Sequence, residues 1–576
     1  MMKLYKNIRF DFAKAVLTLL FATVTIALTG CKDDYLQDGS ITDGSIKEKE
    51  VWENDAYARG VLNNAYFSIP EGFNIDGNGG LLAAGTDEAV SSGANATLSI
   101  FNNGTWGPLR VVDDQYNNLY EGLRKVNLFM ENLEASSIIP TDGLTVAEDK
   151  SRLKGQAFFL RALFHFELVK RYGAVTLATR VFSREENLNL PKNTYKECVD
   201  QILLDCDSAI NTNLPLWTGE GDGRFYWRSG DKGRATKTAA MALKSRMMLY
   251  AASPLFADQS GISWQQAADA AKAIIDLGKH QLFNNYANIF NFGAAPYNNE
   301  VIFSTRAQNR NDIEQDNAPI SYDGARGRTN PTQEMVDAFE TTDGKLYNPA
   351  SPEINPYDQR DPRFALTINY NGRTFKGKQV QTYVGGLDGL NRSIDATKTG
   401  YYMRKFLSEA ASWNQNSNTL ARRPWVVSRY AEILLNYAEA LNEAQGTAAV
   451  TEVLKYVNQV RDRSGVKMPA LQTTNPNGNG YVQLDKDAIR ERIHNERRVE
   501  LCFEGHRFYD IRRWKEGERF LNQPITGMRI TIDGNANTTY TRFVVENRVF
   551  SEKNYLYPFS QNTINRQPAL IQNKDY

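Results

Sequence analysis

The stretch from 429 to 463 most constrains the fold. Tyr430, Ile433, Leu434, Tyr437, Ala438 and Leu441 fall on one stripe of a helix, and Gly446 follows as a stop signal. Val450, Val453, Leu454, Val457 and Val460 repeat the pattern, so two amphipathic helices joined by a short turn form an αα-hairpin. The same reading pairs 115–134 with 149–172, and 194–211 with 231–256 across the loop LPLWTGEGDGRFYWRSG. It adds helices at 263–278 and 486–504. Residues 286–425 break the pattern. They are rich in Asn, Gly, Pro, Tyr and Asp, with short strand-like runs such as VIFST and FALTINY. Long loops on a rigid helical frame tend to carry function.

Recurring helix pairs with small residues at their contact points predict a mainly α fold, a tetratricopeptide-like stack of irregular period carrying a long, loop-rich, partly β insertion at about 286–425. No low-complexity linker interrupts residues 51–576, which are read as a single domain.

The N-terminus sets the compartment. Lys3, Lys6, Arg9 and Lys14, interrupted by Asp11, precede the uncharged and mainly apolar run Ala15 to Leu28, and Leu28-Thr29-Gly30-Cys31 closes it. The run is short for a spanning helix and ends at a small-residue cleavage site, so residues 1–30 read as an export signal. The closing motif resembles a bacterial lipobox. That implies a diacylglyceryl group on Cys31, cleavage before it and acylation of the new amino terminus. Several acyl chains give stable membrane anchoring. Residues 31–50 then read as a flexible acidic tether, and Lys32-Asp33-Asp34 resembles the acidic patch that sends lipoproteins of Bacteroidetes-type bacteria to the outer surface.

Charge excludes nucleic acid as a partner. Basic and acidic residues number 67 each, and removal of the signal leaves a small acidic excess with no dense basic stripe. Of four cysteines, Cys198 and Cys206 lie eight residues apart in a helical stretch, roughly 12 Å of rise, too far for a mutual disulfide. Cys198, Cys206 and Cys502 read as small core residues.

Several segments resemble the SusD/RagB family of outer-membrane nutrient-binding lipoproteins. GQAFFLRALFHFELVKRYGAVTL at 155–177 and GRATKTAAMALKSRMMLYAASPLF at 233–256 are similar to its early helices. NPTQEMVDAFETTDG at 330–344 and YDQRDPRF at 357–364 are similar to its middle segment. RYAEILLNYAEALNE at 429–443, NERRVELCFEGHRFYDIRRW at 495–514 and YLYPFSQNTINRQPALIQN at 555–573 complete the match in order. Phe559 departs from the pattern, where a smaller aliphatic is expected. The resemblance spans essentially the whole mature chain. It implies a protein facing the cell exterior that captures oligosaccharides, or in some members peptides. Such a protein hands them to a partner TonB-dependent outer-membrane transporter without cleaving them.

Glu496, Glu500 and Glu504 share one helical face amid Arg497, Arg498, Arg507, Arg512 and Arg513. An Arg–carboxylate network explains them without catalysis. None of His165, His280, His494 and His506 has metal-ligand spacing, and no nucleophile elbow or phosphate loop occurs, so no metal, cofactor or catalytic residue is expected. A glycosidase needs only two carboxylates far apart in sequence, so a surface hydrolase stays as one alternative and a helical-repeat scaffold that binds only proteins as another. Sugar capture needs aromatic platforms edged by polar groups. Trp106 with Asn102, and Tyr297 and Tyr322 with Arg306 and Asn317, are expected to converge on one exposed face. The loop with Trp217, Tyr226 and Trp227 is the fallback. Trp264 and Trp514 sit in helical patterns and read as core.

Overall fold

A computed structural model of the chain describes residues 47–576 other than 94–95, 184, 219–223, 291–297, 351–354 and 415. Helices α1 (Glu48–Glu53) and α2 (Asp55–Ala65) lead into α3 (Tyr116–Asn132), α4 (Val146–Tyr172), α5 (Tyr195–Ile210), α6 (Lys237–Ala252) and α7 (Trp264–Asp276). A long excursion carries the short helix α8 (Asp312–Asn317). The chain then returns as α9 (Tyr430–Gln445), α10 (Val450–Arg461), α11 (Lys486–Glu500) and α12 (His506–Arg513). The starts of α4, α5 and α7 are marked by Thr145 with Glu148, Thr194 with Glu197, and Ser263 with Gln266. In each, the hydroxyl accepts the third helical amide while the third side chain accepts the cap amide.

From α3 to α7 each helix packs on the next, and α7 packs on α9 although residues 277–429 lie between them; α9 in turn packs on α10 and α11. The frame is thus a continuous tetratricopeptide-like stack, as the periodicity predicts, and the loop-rich segment leaves and re-enters it at one joint. Gly122 on α3 shows how closely the helices approach. A Cβ there would sit 2.8 Å from the Phe164 ring and 2.9 Å from Ser68. Phe559, the departure noted above, is buried and stacks on Tyr172 at 5.0 Å.

Strands are short and paired in twos. β1 (Ala89–Ser91) pairs antiparallel with β3 (Thr329–Pro331), and β2 (Val301–Ser304) with β6 (Val426–Arg429), which ties the two ends of the excursion together. A hairpin, β4 (Ser412–Asn414) with β5 (Ser417–Thr419), lies near the end of the excursion, and β7 (Ile525–Ile532) pairs with β8 (Thr538–Glu546) near the C-terminus. VIFST forms its strand. FALTINY does not at first: Asp361 caps Pro362–Thr367 as a helical turn with proline at its first position, and only Ile368–Asn369 is strand. The end of the expected tether is also ordered. Lys47 and Glu50 bond reciprocally at the start of α1, and Trp52 is buried.

Two large apolar clusters fill most of the described molecule, with two smaller ones around Tyr322 and Phe550. Of the large ones, one threads the helices through residues such as Leu119, Phe164, Val199, Leu434 and Val457. The other lies under the excursion, with Phe73, Tyr286, Met335, Phe364, Tyr401 and Phe503. Buried ion pairs bind the excursion to α10 and α11. Glu500 accepts from Arg429 and Arg463 at 2.7 Å and from Arg363 at 3.0 Å. Glu496 pairs with Arg363 and Arg461, and Glu504 with Arg429 and Lys405. The network expected at 495–514 is there, but its partners are distant in sequence. The neighbouring arginines point elsewhere: Arg497 to Asp510, Arg498 and Arg507 to Asp87, Arg513 to Glu439. Burial pushes the Glu500 carboxyl up, but three guanidinium groups outweigh it and hold it far below the usual range. Cys198, Cys206 and Cys502 are buried free thiols. Among the described residues no helix is long and apolar enough to cross a membrane.

Candidate functional site

The segment FNIDGNGG at 73–80 folds into a tight turn. Asp76 Oδ1 accepts the amides of Asn78 and Gly80 at 2.9 and 3.1 Å, and Asn74 Oδ1 accepts that of Gly79 at 2.9 Å. Gly79 is required twice over. Its φ is +88°, and a Cβ would stand 2.3 Å from the side chain of Asp316 on α8. The turn therefore lies directly on α8.

α8 is a hub. Asn317 donates to the carbonyls of Gly79 and Ile313 and accepts the amide of Thr329. The Asp316 carboxyl accepts from Arg326 at 3.0 Å, and its carbonyl takes the Arg328 amide at 2.7 Å. Arg328 reaches the Asn78 carbonyl at 3.2 Å and Asp395 at 2.5 Å. Ser92, just past β1, donates to the carbonyls of Arg326 and Arg328. On the far side of the 318–328 loop, the half-buried indole of Trp413 donates from Nε1 to the Asp323 carbonyl at 2.9 Å. Lys376 Nζ lies 5.5 Å from its ring centre, and bare Gly324 lies beside it.

The result is a cluster of loops pinned by α8 and by the β1–β3 ladder. It presents Asn74, Asn78 and Asp323 in the open, Arg326 with 46% of its side chain exposed, half-exposed Asp395, and the Trp413 indole. These are amides, carboxylates and a guanidinium that can exchange hydrogen bonds with hydroxyls, edged by one aromatic ring. Both arginines are already paired with carboxylates, so the cluster is close to charge-balanced. Burial raises the Asp316 carboxyl, and Arg326 partly offsets that. Among the described residues no group of three His, Cys, Asp or Glu side chains could hold a metal ion.

The expected site residues do not converge on this cluster as exposed ligand contacts. Trp106 is 1% exposed, boxed edge-on by Phe101 at 4.7 Å and Tyr557 at 4.9 Å. It is core and offers no face to a ligand. Asn102 is buried with its amide on the Ala84 carbonyl. Asn317 is fully buried in α8. Tyr322 is buried edge-on against Phe375 at 5.5 Å, its hydroxyl donating to the Phe375 carbonyl, and burial pushes that hydroxyl up to about 12. These four side chains shape the frame: the two amides and the Tyr322 hydroxyl bond to backbone, and the Trp106 ring is enclosed by its neighbours. Tyr297 lies outside the described residues. Arg306 is exposed and lines a separate cavity with Phe67. In the fallback loop, Trp227 is buried with Nε1 on the Ala235 carbonyl, Trp217 is half-buried near His280, and only Tyr226 is exposed. Trp514 is core as expected, stacked on His494 at 3.5 Å, and Trp264 packs half-buried against the helical cluster. His165 and His494 are buried, and burial holds each down to about 3.

The loop before NPTQ meets the turn at 73–80 rather than the Trp106 loop, with Arg328 on the Asn78 carbonyl and Asn317 on that of Gly79; sequence reasoning passed over that turn. The Asp-Gly-Asn-Gly-Gly run was the available signal, since such runs mark tight turns that bring backbones close.

Known proteins share this architecture. A family model described as SusD family matches residues 294–576, and one described as starch-binding associating with outer membrane matches residues 84–249. A SusD-like protein structure from Bacteroides fragilis superposes with a TM-score of 0.76 at 30% identity, over 92% of this chain and 99% of that one. A SusD-like carbohydrate binding protein from the same species gives 0.73 at 25% identity, over 90% and 100%. SusD-like protein P25 of Formosa agariphila is 23% identical over 420 residues, 70% of either chain.

Proposed function

Because this chain belongs to the SusD/RagB family, we propose that it captures oligosaccharides at the cell surface, without turning them over, and passes them to a TonB-dependent outer-membrane transporter. The observation that carries the reading is the loop cluster on α8, where Asn78, Arg326 and Asp395 are polar groups open to hydroxyls and the half-buried Trp413 indole stands against the other side of the 318–328 loop. Sugar rings need that combination, since their C–H faces pack on aromatics while their hydroxyls seek polar groups. The relatives named for carbohydrate binding and for starch binding support the ligand class.

Isothermal titration with a panel of neutral oligosaccharides tests it. Trp413→Ala should weaken the best ligand about tenfold or more, as loss of a central aromatic contact does, while the melting temperature holds. A panel without a binder, or an unchanged affinity in the variant, overturns this site. Reproducible cleavage products from the purified protein would favour the hydrolase reading.

Anchoring by acylated Cys31 belongs to the same proposal and rests on the N-terminal motif. Cys31→Ala should move the protein from the membrane fraction to the soluble one. Retention in the membrane would refute lipid anchoring at this residue.

A further inference from the structure

Arg326, Arg328, Arg310 and Arg234 each hold a carboxylate within 3.0 Å, whereas Arg306 is exposed and makes no hydrogen bond or ion pair with the described residues. It lines a cavity of about 250 Å³ that shares no residue with the loop cluster on α8. The turn just past α2 lines the same cavity. There Phe67 is 68% exposed, the most exposed aromatic side chain among the described residues. An apolar ring left in water at the mouth of a cavity is the kind of feature that marks a binding surface.

Hydrogen bonds fix two of the other lining side chains. Tyr66 is held from behind, its hydroxyl donating to Gln156 Oε1 at 2.9 Å and accepting the Ala235 amide at 3.2 Å. Arg234 clamps the 230–234 loop to α2, with Nε on Asp231 at 2.7 Å and Nη1 on Asn63 Oδ1 at 2.8 Å. That pairing also neutralises Asp231. Gly230 and Gly233, the latter at φ +99°, leave bare backbone on the wall. The volume lies below the roughly 300–1,000 Å³ of pockets for larger ligands, so it suits one sugar ring.

We infer that this cavity is a second binding site, for a single uronic acid residue, with the sugar's C–H face on Phe67 and its carboxylate on Arg306. An unpaired guanidinium selects a carboxylate through charge-assisted, two-point hydrogen bonding. The exposed ring selects a ligand with an apolar face. In the loop cluster on α8 both described arginines hold carboxylates and Lys376 is held by backbone carbonyls, so the two sites differ in ligand charge. The assignment does not depend on the neutral-sugar site.

Titration at low salt with methyl glucuronide, its neutral methyl ester and methyl glucoside tests the assignment. The acid should bind saturably, and the ester and the glucoside about tenfold more weakly, the loss expected for a charge-assisted contact. Arg306→Gln should lose the same factor for the acid alone, and Phe67→Ala should weaken acid and ester together. Trp413→Ala should leave acid binding unchanged, which separates this site from the other. Both cavity substitutions are at exposed positions, and unchanged melts would confirm that they fold. Equal binding of acid and ester, wild-type affinity in Arg306→Gln, or no saturation by the acid would overturn the assignment.

Discussion

The same pairing of arginine with carboxylate appears in two places and serves two ends. On α11 and in the turn that follows it, Glu496, Glu500 and Glu504 hold Arg363, Arg429, Arg461, Arg463 and Lys405 with every side chain buried. On α8, Asp316 holds Arg326 with nearly half of the arginine side chain in solvent. A buried pair has no alternative partner, so removing one member strands the other in a medium that penalises bare charge. A half-exposed pair can trade its partner for water or a hydroxyl at small cost. The first arrangement fixes how the excursion sits on the helices. The second leaves groups available to a ligand.

The sharpest way to break this contrast is Glu500→Ala, which leaves three guanidinium groups short of a partner. It should cost about 3–5 kcal/mol, read by chemical denaturation, and if the chain does not fold at all the direction is the same. A loss under about 1 kcal/mol would mean the buried network behaves like a surface one.

Glu88 provides an intermediate test. It is buried beside β1 and accepts the Phe503 amide at 3.3 Å, and burial, with Asp87 adjacent, pushes its carboxyl up to about 8. Below the ordinary value of 4.5 both folded and unfolded chains are protonated there, and the group contributes nothing. Between that value and about 8 the unfolded chain ionises while the folded chain stays protonated, so stability falls as pH rises through the window and levels off above it. Glu88→Gln should therefore stabilise the protein by on the order of 2 kcal/mol at pH 8 and change little at pH 4. Equal effects at both values would show that the carboxyl is ionised in the fold.

The smallest effect on stability is expected at the exposed end of the comparison. Arg326→Gln should shift the unfolding free energy by less than about 1 kcal/mol and weaken oligosaccharide binding about tenfold. A large destabilisation would move Arg326 into the class of Arg429.

Helix positions were legible because apolar residues at helical spacing and a stop such as Gly446 act locally; the eight helices read from pattern all formed, from Tyr116–Asn132 to Lys486–Glu500. The partners of Glu500 were not legible, since Arg363 and Arg429 come from segments brought near only by the finished fold. Trp106 misled for a related reason. Its flanking Asn and Gly describe a loop correctly, but Phe101 and Tyr557 close over the ring, and Tyr557 lies far along the chain. Asp76 and Asn78 were within reach, since the turn they build follows from local chemistry. That the turn lands on α8 depends on Gly79 and Asp316 meeting, which no local pattern announces.

The joint at which the chain leaves α7 and returns to α9 has an evolutionary consequence. Its ends are pinned together by β2 and β6, so the segment between them is a closed loop whose entropic cost grows only slowly, by about 0.6 kcal/mol for each doubling of length. Insertions and deletions in its exposed turns leave the helix-to-helix contact intact, provided that Arg363, Lys405 and the buried residues under the segment are kept. A lineage can therefore retune what it recognises in single genetic steps while inheriting the same chassis, and a laboratory library confined to the exposed turns of that segment would sample new specificities with few unfolded members.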